Sequence, residues 1–326
     1  MAEAGSQEAG AQGSGHGILL LVGAVAVFSI QDIIVREMSS SYPVLEFVFF
    51  RTAFSIPPIL LIVVLQGGFA TMRAKRPVLL LVRGFLLLLA YTTYYLAVAS
   101  LPLATAVALF FCAPLLVTAM AALLLRESVG LRRWGAIVVG FGGVLLIAQP
   151  ESGFVDPGVF IAVVGAAIYS VSVIMTRKLG ATETGNAMLI HQAAVYLVMS
   201  GLAGLFMQDL AVENDAHAAA RFLMSGWVMP EWGHLGLMAL CGVIAAAGFY
   251  GLTQAYRLAP PSVVAPFEYT GITWGILWGY VFWSEVPDLM AISGMMVIVA
   301  AGIYIIHRER VRGRRMVAGR QLRPRS

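Results

Sequence analysis

The residues with chemistry to offer are few, and they sit where charge is expensive. Asp32, Glu46, Arg51, Arg83 and Glu268 all fall within runs of sequence apolar enough for a bilayer. An ionisable side chain inside a membrane is a functional-site hypothesis by default, because its burial is costly. Glu268 belongs to the stretch Ala265–Glu285, APFEYTGITWGILWGYVFWSE. There Gly271, Gly275 and Gly279 recur every fourth residue, a spacing that lets a neighbouring helix come close. Glu268 shares a helix face with Gly275, so the acid looks toward other helices and away from lipid. Three roles fit it: carrying a proton, meeting a cationic substrate group, or hydrogen-bonding a neighbouring helix as a structural acid. Arg51 and Glu46 lie about 140° apart round a helix and do not share a face. Arg51 therefore meets either Asp32, in an ion pair that fixes two helices, or a substrate carboxylate. The ion pair is the simpler of the two.

Aromatic residues accompany these charges. Tyr and Trp normally gather at the membrane interface. Several of Tyr94, Phe110, Phe111, Tyr169, Tyr250, Tyr269 and Trp274 lie deeper than that. A buried tyrosine hydroxyl needs a partner or a wet cavity. These seven residues with Glu268 form the candidate substrate-binding set, a wall suited to a planar or amphipathic metabolite. Ordinary bundle packing accounts for any single one of them equally well. Asp32, Arg51 and Glu268 are the candidates for proton coupling or an ion pair. Pro114 and Pro266 lie inside apolar runs and predict kinks, which either gate a cavity or only shape the bundle. Arg83, Glu127 and Glu285 stand near the ends of such runs and read as packing and topology residues.

Other chemistries find no residues to carry them. The sequence has no nucleophile–base constellation, no metal-ligand spacing and no phosphate-binding glycine loop after a strand pattern. No catalytic residue, metal or cofactor is expected. Cys112 and Cys241 fall in apolar runs and read as small buried residues.

The elements that must position these residues are membrane spans. Of the 326 residues 60% are hydrophobic and only 12% charged, with a mean hydropathy of +0.85. A soluble domain has about 45–50% and about 25%. Apolar runs of helix length occur at about 17–35, 43–65, 77–98, 102–125, 132–149, 157–176, 185–207, 233–256, 262–284 and 289–306. That predicts an all-α membrane protein with ten transmembrane helices. Residues 1–16 are Gly, Ala, Ser, Glu and Gln and predict a disordered tail. They lack the basic start of a signal peptide, so the first run is expected to be retained. The longest connection, about 208–232, predicts a solvated loop or a short interfacial helix.

The formal net charge is +4 and the pI about 9.2, yet nucleic acid is not the expected partner. Much of the excess is a run of arginines between Arg308 and Arg325, next to the last span. A basic tail there is a topology anchor. Arg73, Lys75, Arg76, Arg126, Arg132, Arg133, Arg177, Lys178 and Arg257 fall in loops on the same side as that tail; Arg36 and Arg221 fall on the other. The positive-inside rule then predicts a multi-pass protein of the cell inner (plasma) membrane with both termini cytoplasmic. Glu268 would sit about 9 Å into a core of roughly 30 Å, toward the cytoplasmic end.

The chain also repeats itself. Phe28-Ser29 and Arg36 fall on Tyr169-Ser170 and Arg177 at one constant spacing, and Arg51 falls on Gln192. Leu101–Glu127 falls on Leu258–Glu285 with one gap, which brings Glu268 near Phe111. The unit holds five spans, an odd number, so the second copy enters the membrane upside down. Inverted repeats are how many secondary transporters build two-sided access round a central site. The boundaries are a tail at 1–16, a first repeat at 17–149, a second at 150–306 and a basic cytoplasmic tail at 307–326.

RGFLLLLAYTTYYLAVASLPLATAVALFFCAPLLVTAMAALLLRESVGLRRWGAIVVGFGGVLLI and YRLAPPSVVAPFEYTGITWGILWGYVFWSEVPD resemble the two EamA domains of the drug/metabolite transporter superfamily. The resemblance implies two inverted five-helix repeats, a central cavity, and export or uptake of a small metabolite across the bilayer. The PFEYT segment is similar to members that import riboflavin or S-adenosylmethionine. With no ATP motif, coupling to a gradient or exchange is expected, with protons as the candidate partner. The expected activity is export of an amino acid or related metabolite, with uptake of a vitamin or cofactor-like compound as the alternative. A membrane-embedded enzyme is the remote third.

Overall fold

The computed structural model describes residues 2–125, 130–149, 155–207, 216–258 and 265–321. Every regular element among them is helical: α1 (Ala2–Met38), α2 (Val44–Leu65), α3 (Pro77–Ser100), α4 (Leu103–Phe110), α5 (Ala113–Leu125) and α6 (Leu131–Ala148) in the first half. The second half holds α7 (Pro157–Leu179), α8 (Gly185–Met207), α9 (Ala218–Met224), α10 (Trp232–Leu258), α11 (Thr270–Trp283) and α12 (Leu289–Gln321). Short 3-10 turns occupy Phe69–Met72 and Ala265–Tyr269. Nine helical segments among the described residues are long and apolar enough to cross a membrane, α4 and α5 together supplying one.

The outer faces of these helices match that solvent. Leu61, Leu65, Val138, Val139, Leu205, Phe206, Val281 and Phe282 are all exposed. A protein surrounded by water rarely leaves contiguous apolar surface of this extent. A helix satisfies its own backbone polar groups and can therefore stand in lipid. This is a multi-pass membrane protein.

Two places depart from the expected spans. The ninth, expected at 262–284, is a 3-10 turn followed by the 14-residue α11, with 259–264 outside the described residues. The fourth is interrupted after Phe110, and α5 starts at Ala113. Pro114 explains the break. It has no N–H to give and would clash with the preceding turn in a helix interior, but fits the first turn of a new helix. Pro266 stands likewise near the start of its 3-10 turn. The kink expected at Pro114 is thus an outright interruption, and at Pro266 the span runs as a 3-10 turn straight into α11. The ends differ as well: α1 begins at Ala2 where a disordered tail was expected, and α12 continues to Gln321 through the basic tail. Ala, Glu and Gln near the start are good helix formers and prolong a helix already nucleated by the apolar run. The long connection contains the short helix α9; its residues 208–215, and Glu127, lie outside the described residues.

Helix contacts follow the repeat. Exchanging α1 with α7, α2 with α8, α3 with α10, α4–α5 with α11 and α6 with α12 turns one half into the other. Under that exchange the α3–α7 contact becomes α10–α1, and α3–α8 becomes α10–α2. The pairs α2–α8, α4–α11 and α6–α12 map onto themselves and lie along the pseudo-two-fold. Single contacts obey it too. The carboxylate of Glu183, before α8, accepts the Lys75 and Arg76 backbone N–H groups (3.1 and 2.7 Å) at the start of α3. The hydroxyl of Tyr42, before α2, accepts the Glu231 N–H (3.2 Å) at the start of α10. Each loop caps the orphan N–H groups of a helix in the other half.

Asp288 adds a tie between halves. Its carboxylate accepts the Ala291 N–H (2.7 Å), capping α12, and the Gln149 amide (2.6 Å) at the end of α6. These bonds, the backbone one first, hold the carboxyl below its usual range. Its contribution is therefore complete above the ordinary carboxylate pKa and is lost only as pH falls through the depressed value.

The α6–α12 seam is a close approach of the two repeats. A Cβ on Gly143 would lie 2.7 Å from the Gly294 carbonyl oxygen, and one on Gly294 2.6 Å from that of Gly143. The adjacent Gly142 has open space around it. Gly143→Leu should therefore cost about 1–3 kcal/mol by overpacking and lower the melting temperature of the solubilised protein. Gly142→Leu should leave it unchanged; equal melting of the two variants would refute the seam.

Candidate functional site

A small cavity opens between α2, α8 and α10. Arg51, Thr52, Ser55 and Ile59 line it from α2; Leu189, Gln192, Ala193 and Tyr196 from α8; Ala245, Ala246 and Phe249 from α10. A second small space shares Ile59 and Leu189 with it and extends past Tyr250 to Gln66, Gly185 and Asn186. The two adjoin and lie in line from Arg51 toward the side that carries Arg73, Lys75 and Arg76. Gly242 sets the width of the site. A Cβ there would meet the Arg51 carbonyl at 2.7 Å and the Ser55 nitrogen at 2.8 Å, so only glycine lets α10 lie this close to α2.

Arg51 is 3% exposed. Its Nη1 donates to the Tyr95 hydroxyl, which also accepts from Gln31 Nε2 (2.7 Å). The guanidinium carbon lies 5.9 Å from the Tyr95 ring centroid, a weak cation–π contact. Its Nε has no partner, nor do the buried Thr52 and Tyr196 hydroxyls on the same wall. Arg83, half-buried, donates to Thr176 Oγ1 (2.6 Å) and reaches Gln192 Oε1 (3.4 Å). Beside the cavity the rings form a continuous cluster. Tyr91 packs on Tyr95, Tyr169 and Phe249, and Phe110 on Tyr94 (4.6 Å between centroids) and Tyr169 (5.3 Å).

The opposite end of the molecule is tied shut. Ser284 adopts the left-handed conformation (φ 55°), and the Glu285 N–H turns back to the Gly279 carbonyl (3.0 Å). This aims the Glu285 carboxylate into the bundle. It takes both Nη atoms of Arg36 on α1 and the Leu103 N–H (3.0 Å) at the start of α4. The Arg36 guanidinium also lies over the Trp283 ring, 4.4 Å from its centroid. Below this tie, Trp278 Nε1 donates to Ser29 Oγ (2.9 Å). One acid thus joins α1, α4 and α11.

Comparison with known proteins decides what such a bundle is. Residues 15–149 match the EamA-like transporter family model. The pseudopaline exporter CntI of Pseudomonas aeruginosa is 32% identical over 294 residues, spanning 88% of this chain and 94% of the relative. The chain belongs to the EamA-like transporter family. The S-adenosylmethionine uptake transporter of Rickettsia prowazekii is 25% identical (90% and 94% covered) and the riboflavin transporter of Rhizobium johnstonii 27% (92% and 93%). A solved crystal structure at 17% identity covers 89% of this chain and 95% of its own with a TM-score of 0.59, a likeness of fold. This EamA protein is a membrane transporter of small metabolites and not an enzyme.

The sequence-predicted residues separate into groups. Tyr94, Phe110 and Tyr169 join the aromatic cluster, and Tyr250 lines the second space. Phe111 and Tyr269 pack on each other away from it (6.0 Å), and Trp274 stacks on Trp278 (5.8 Å). Glu268 is half-buried and near enough to Tyr91, Tyr169 and Tyr269 to act on them electrostatically. Arg51 and Asp32 do not form the expected ion pair. Adjacent tyrosines of α3 separate them: Tyr94 donates to Asp32 (2.9 Å) while Tyr95 takes Arg51. Arg83 packs α3 against α7 and α8 through Thr176 and Gln192, the latter on the cavity wall. Thr52, Ser55, Tyr196 and Phe249 also line the cavity and are not marked out by the sequence. Their one signal was register, since Tyr196 follows Gln192, the repeat counterpart of Arg51, by one helical turn.

The Glu285 tie is directly testable. In a chain with Cys112 and Cys241 replaced by Ala, Ser29→Cys should react slowly with a membrane-impermeant maleimide added on the Arg36 side. Adding Glu285→Gln should raise that rate several-fold by releasing α1. An unchanged rate would show that the ion pair does not close this end.

Proposed function

We propose that this EamA protein is a secondary active exporter of an amino acid or related small metabolite in the cell inner membrane, with both termini cytoplasmic. The observation that carries it is the asymmetry of the bundle. A route leads inward from the basic side to Arg51 and Phe249, while Glu285 ties three helices together at the other end. That is the arrangement of a carrier open to one side. The inverted repeat supplies the means of reversing it, by rocking one helix set against the other. Coupling to protons falls to Asp32 and Glu268, carboxylates within or beside the aromatic cluster.

Relatedness supports export over import. The relative named as an exporter is 32% identical, and those named for S-adenosylmethionine uptake and riboflavin transport are 25% and 27%. Uptake of a vitamin or cofactor-like compound is the second reading, and those relatives are what favours it.

Inside-out membrane vesicles containing the protein should accumulate labelled amino acids when their lumen is made acid, and control vesicles should not. Accumulation only in right-side-out vesicles, or of riboflavin or S-adenosylmethionine alone, would replace export by uptake. Asp32→Asn and Glu268→Gln should each be assayed with and without the pH gradient. Loss of the gradient-driven component with exchange retained marks the coupling acid; full retention in both removes Asp32 and Glu268 from the coupling, and no gradient-driven component in the parent removes protons from the mechanism.

A further inference from the structure

We infer that Arg51, Thr52 and Tyr196 form a carboxylate-binding subsite, so that the transported molecule carries a free carboxylate and enters with it foremost. The inference rests on reading the α2–α8–α10 route as the transport path.

A guanidinium stays protonated in a protein, so Arg51 brings a full positive charge into the bundle. Among the described residues no carboxylate stands within ion-pair distance of it. The two acids of α1 and α2 that lie within the bundle are engaged elsewhere: Asp32 with the Tyr94 hydroxyl (2.9 Å), and Glu46, 1% exposed, with the Val228 N–H (3.1 Å). The neutral groups that take part of the charge, the Tyr95 hydroxyl and ring, leave Nε over.

The other unpartnered donors nearby point to the same ligand. Thr52 is 3% and Tyr196 2% exposed. Their hydroxyls lack partners and line the same cavity as Arg51, one from α2 and one from α8. A buried polar group without a hydrogen bond is expensive, and three on one wall form a complementary surface for one multi-acceptor group. A carboxylate offers two oxygens and about four acceptor positions, and guanidinium-to-carboxylate bonds are among the strongest in proteins. Phe249, Ile59, Leu189, Ala245 and Ala246 offer the ligand's body only apolar surface. Arg83, held on Gln192 toward the basic side, adds a second positive charge by the route and favours entry of the negative end.

The test uses the purified full chain in lipid nanodiscs and reads ligand-dependent thermal stabilisation. The probes are leucine, methionine and phenylalanine, each beside its carboxamide, with riboflavin, which has no carboxylate, as control. At least one amino acid should stabilise the protein, and its carboxamide should do so about tenfold less effectively, a charge-assisted contact having been lost. Arg51→Gln should abolish the difference. Tyr196→Phe and Thr52→Val each remove a hydroxyl without a protein partner, so both should fold as the parent does and bind severalfold more weakly. Those two variants decide the matter if Arg51→Gln does not fold. Equal binding of acid and amide, unaltered binding in both hydroxyl variants, or stabilisation by riboflavin alone or by no amino acid at all would overturn the subsite. Binding in nanodiscs without accumulation in inside-out vesicles would instead leave the subsite standing and remove the export reading.

Discussion

A fixed positive charge in the middle of a bundle of apolar helices is the constraint from which the centre of this protein follows. Arg51 cannot become neutral by releasing its proton, as a buried carboxylate does by gaining one. Its surroundings have to solvate it. They do so with tyrosine: the Tyr95 hydroxyl and ring face it, and Gln31 holds that hydroxyl from the other side. Tyr91, Tyr94 and Phe249 then pack round Tyr95 and the cavity. Gly242 lets α10 close over the same stretch of α2. Aromatic rings combine large packing area with a face that tolerates a cation. A carboxylate in their place would have made a tighter pair and left nothing for a passing ligand to complete.

The inverted repeat explains why scaffold and site differ in character. Contacts that hold helices together come in two-fold pairs: Glu183 with the start of α3 and Tyr42 with the start of α10, Gly143 against Gly294 and the reverse. Such pairs cost the same in either orientation of the bundle. Residues with chemistry break the pairing. Arg51 stands opposite Gln192, and Glu268 corresponds to Phe111. A transporter whose two states exchange the roles of its halves needs a symmetric scaffold. A ligand with two different ends needs an asymmetric cavity. This chain places each property where it serves.

Composition alone gives the solvent, because 12% charge leaves too few polar residues to cover a protein in water. Run lengths and prolines then give most spans, and the matched segments give the repeat. Arg51 and Asp32 stood out because charge within an apolar run is rare. Their partners did not. The helices are apolar almost all round, so periodicity does not say which face meets which neighbour. The spacing on α1 and α2 allows Arg51 to reach Asp32, and only the rotation of α3 places Tyr94 and Tyr95 between them. Trp274 looks like pocket lining in the sequence and stacks on Trp278 in the structure. Thr52 and Tyr196 carry no sequence signal strong enough to separate them from ordinary span residues; they matter only because two distant helices bring them to one cavity.

The breaks at Phe111–Cys112 and at Ala265–Tyr269 give that cavity its mechanics. A continuous helix resists bending because each degree of bend strains several i to i−4 hydrogen bonds, whereas an interrupted one has already given some of them up. The repeat places the two breaks in register, and they touch: Phe111 packs on Tyr269, and a Cβ on Gly271 would strike the Phe111 ring. Beyond the breaks, α4 and α11 run side by side to the end where the Glu285 carboxylate holds Leu103 and Arg36, with Gly275 fitted against Ala104 and Val107. On the proposed alternation, releasing Arg36 from Glu285 frees α4 and α11 to swing as a pair about the point where their helices are interrupted. Their packed contact stays intact, so the opening breaks the Arg36–Glu285 pair and the Trp278–Ser29 hydrogen bond and moves a joint that Pro114 has already loosened.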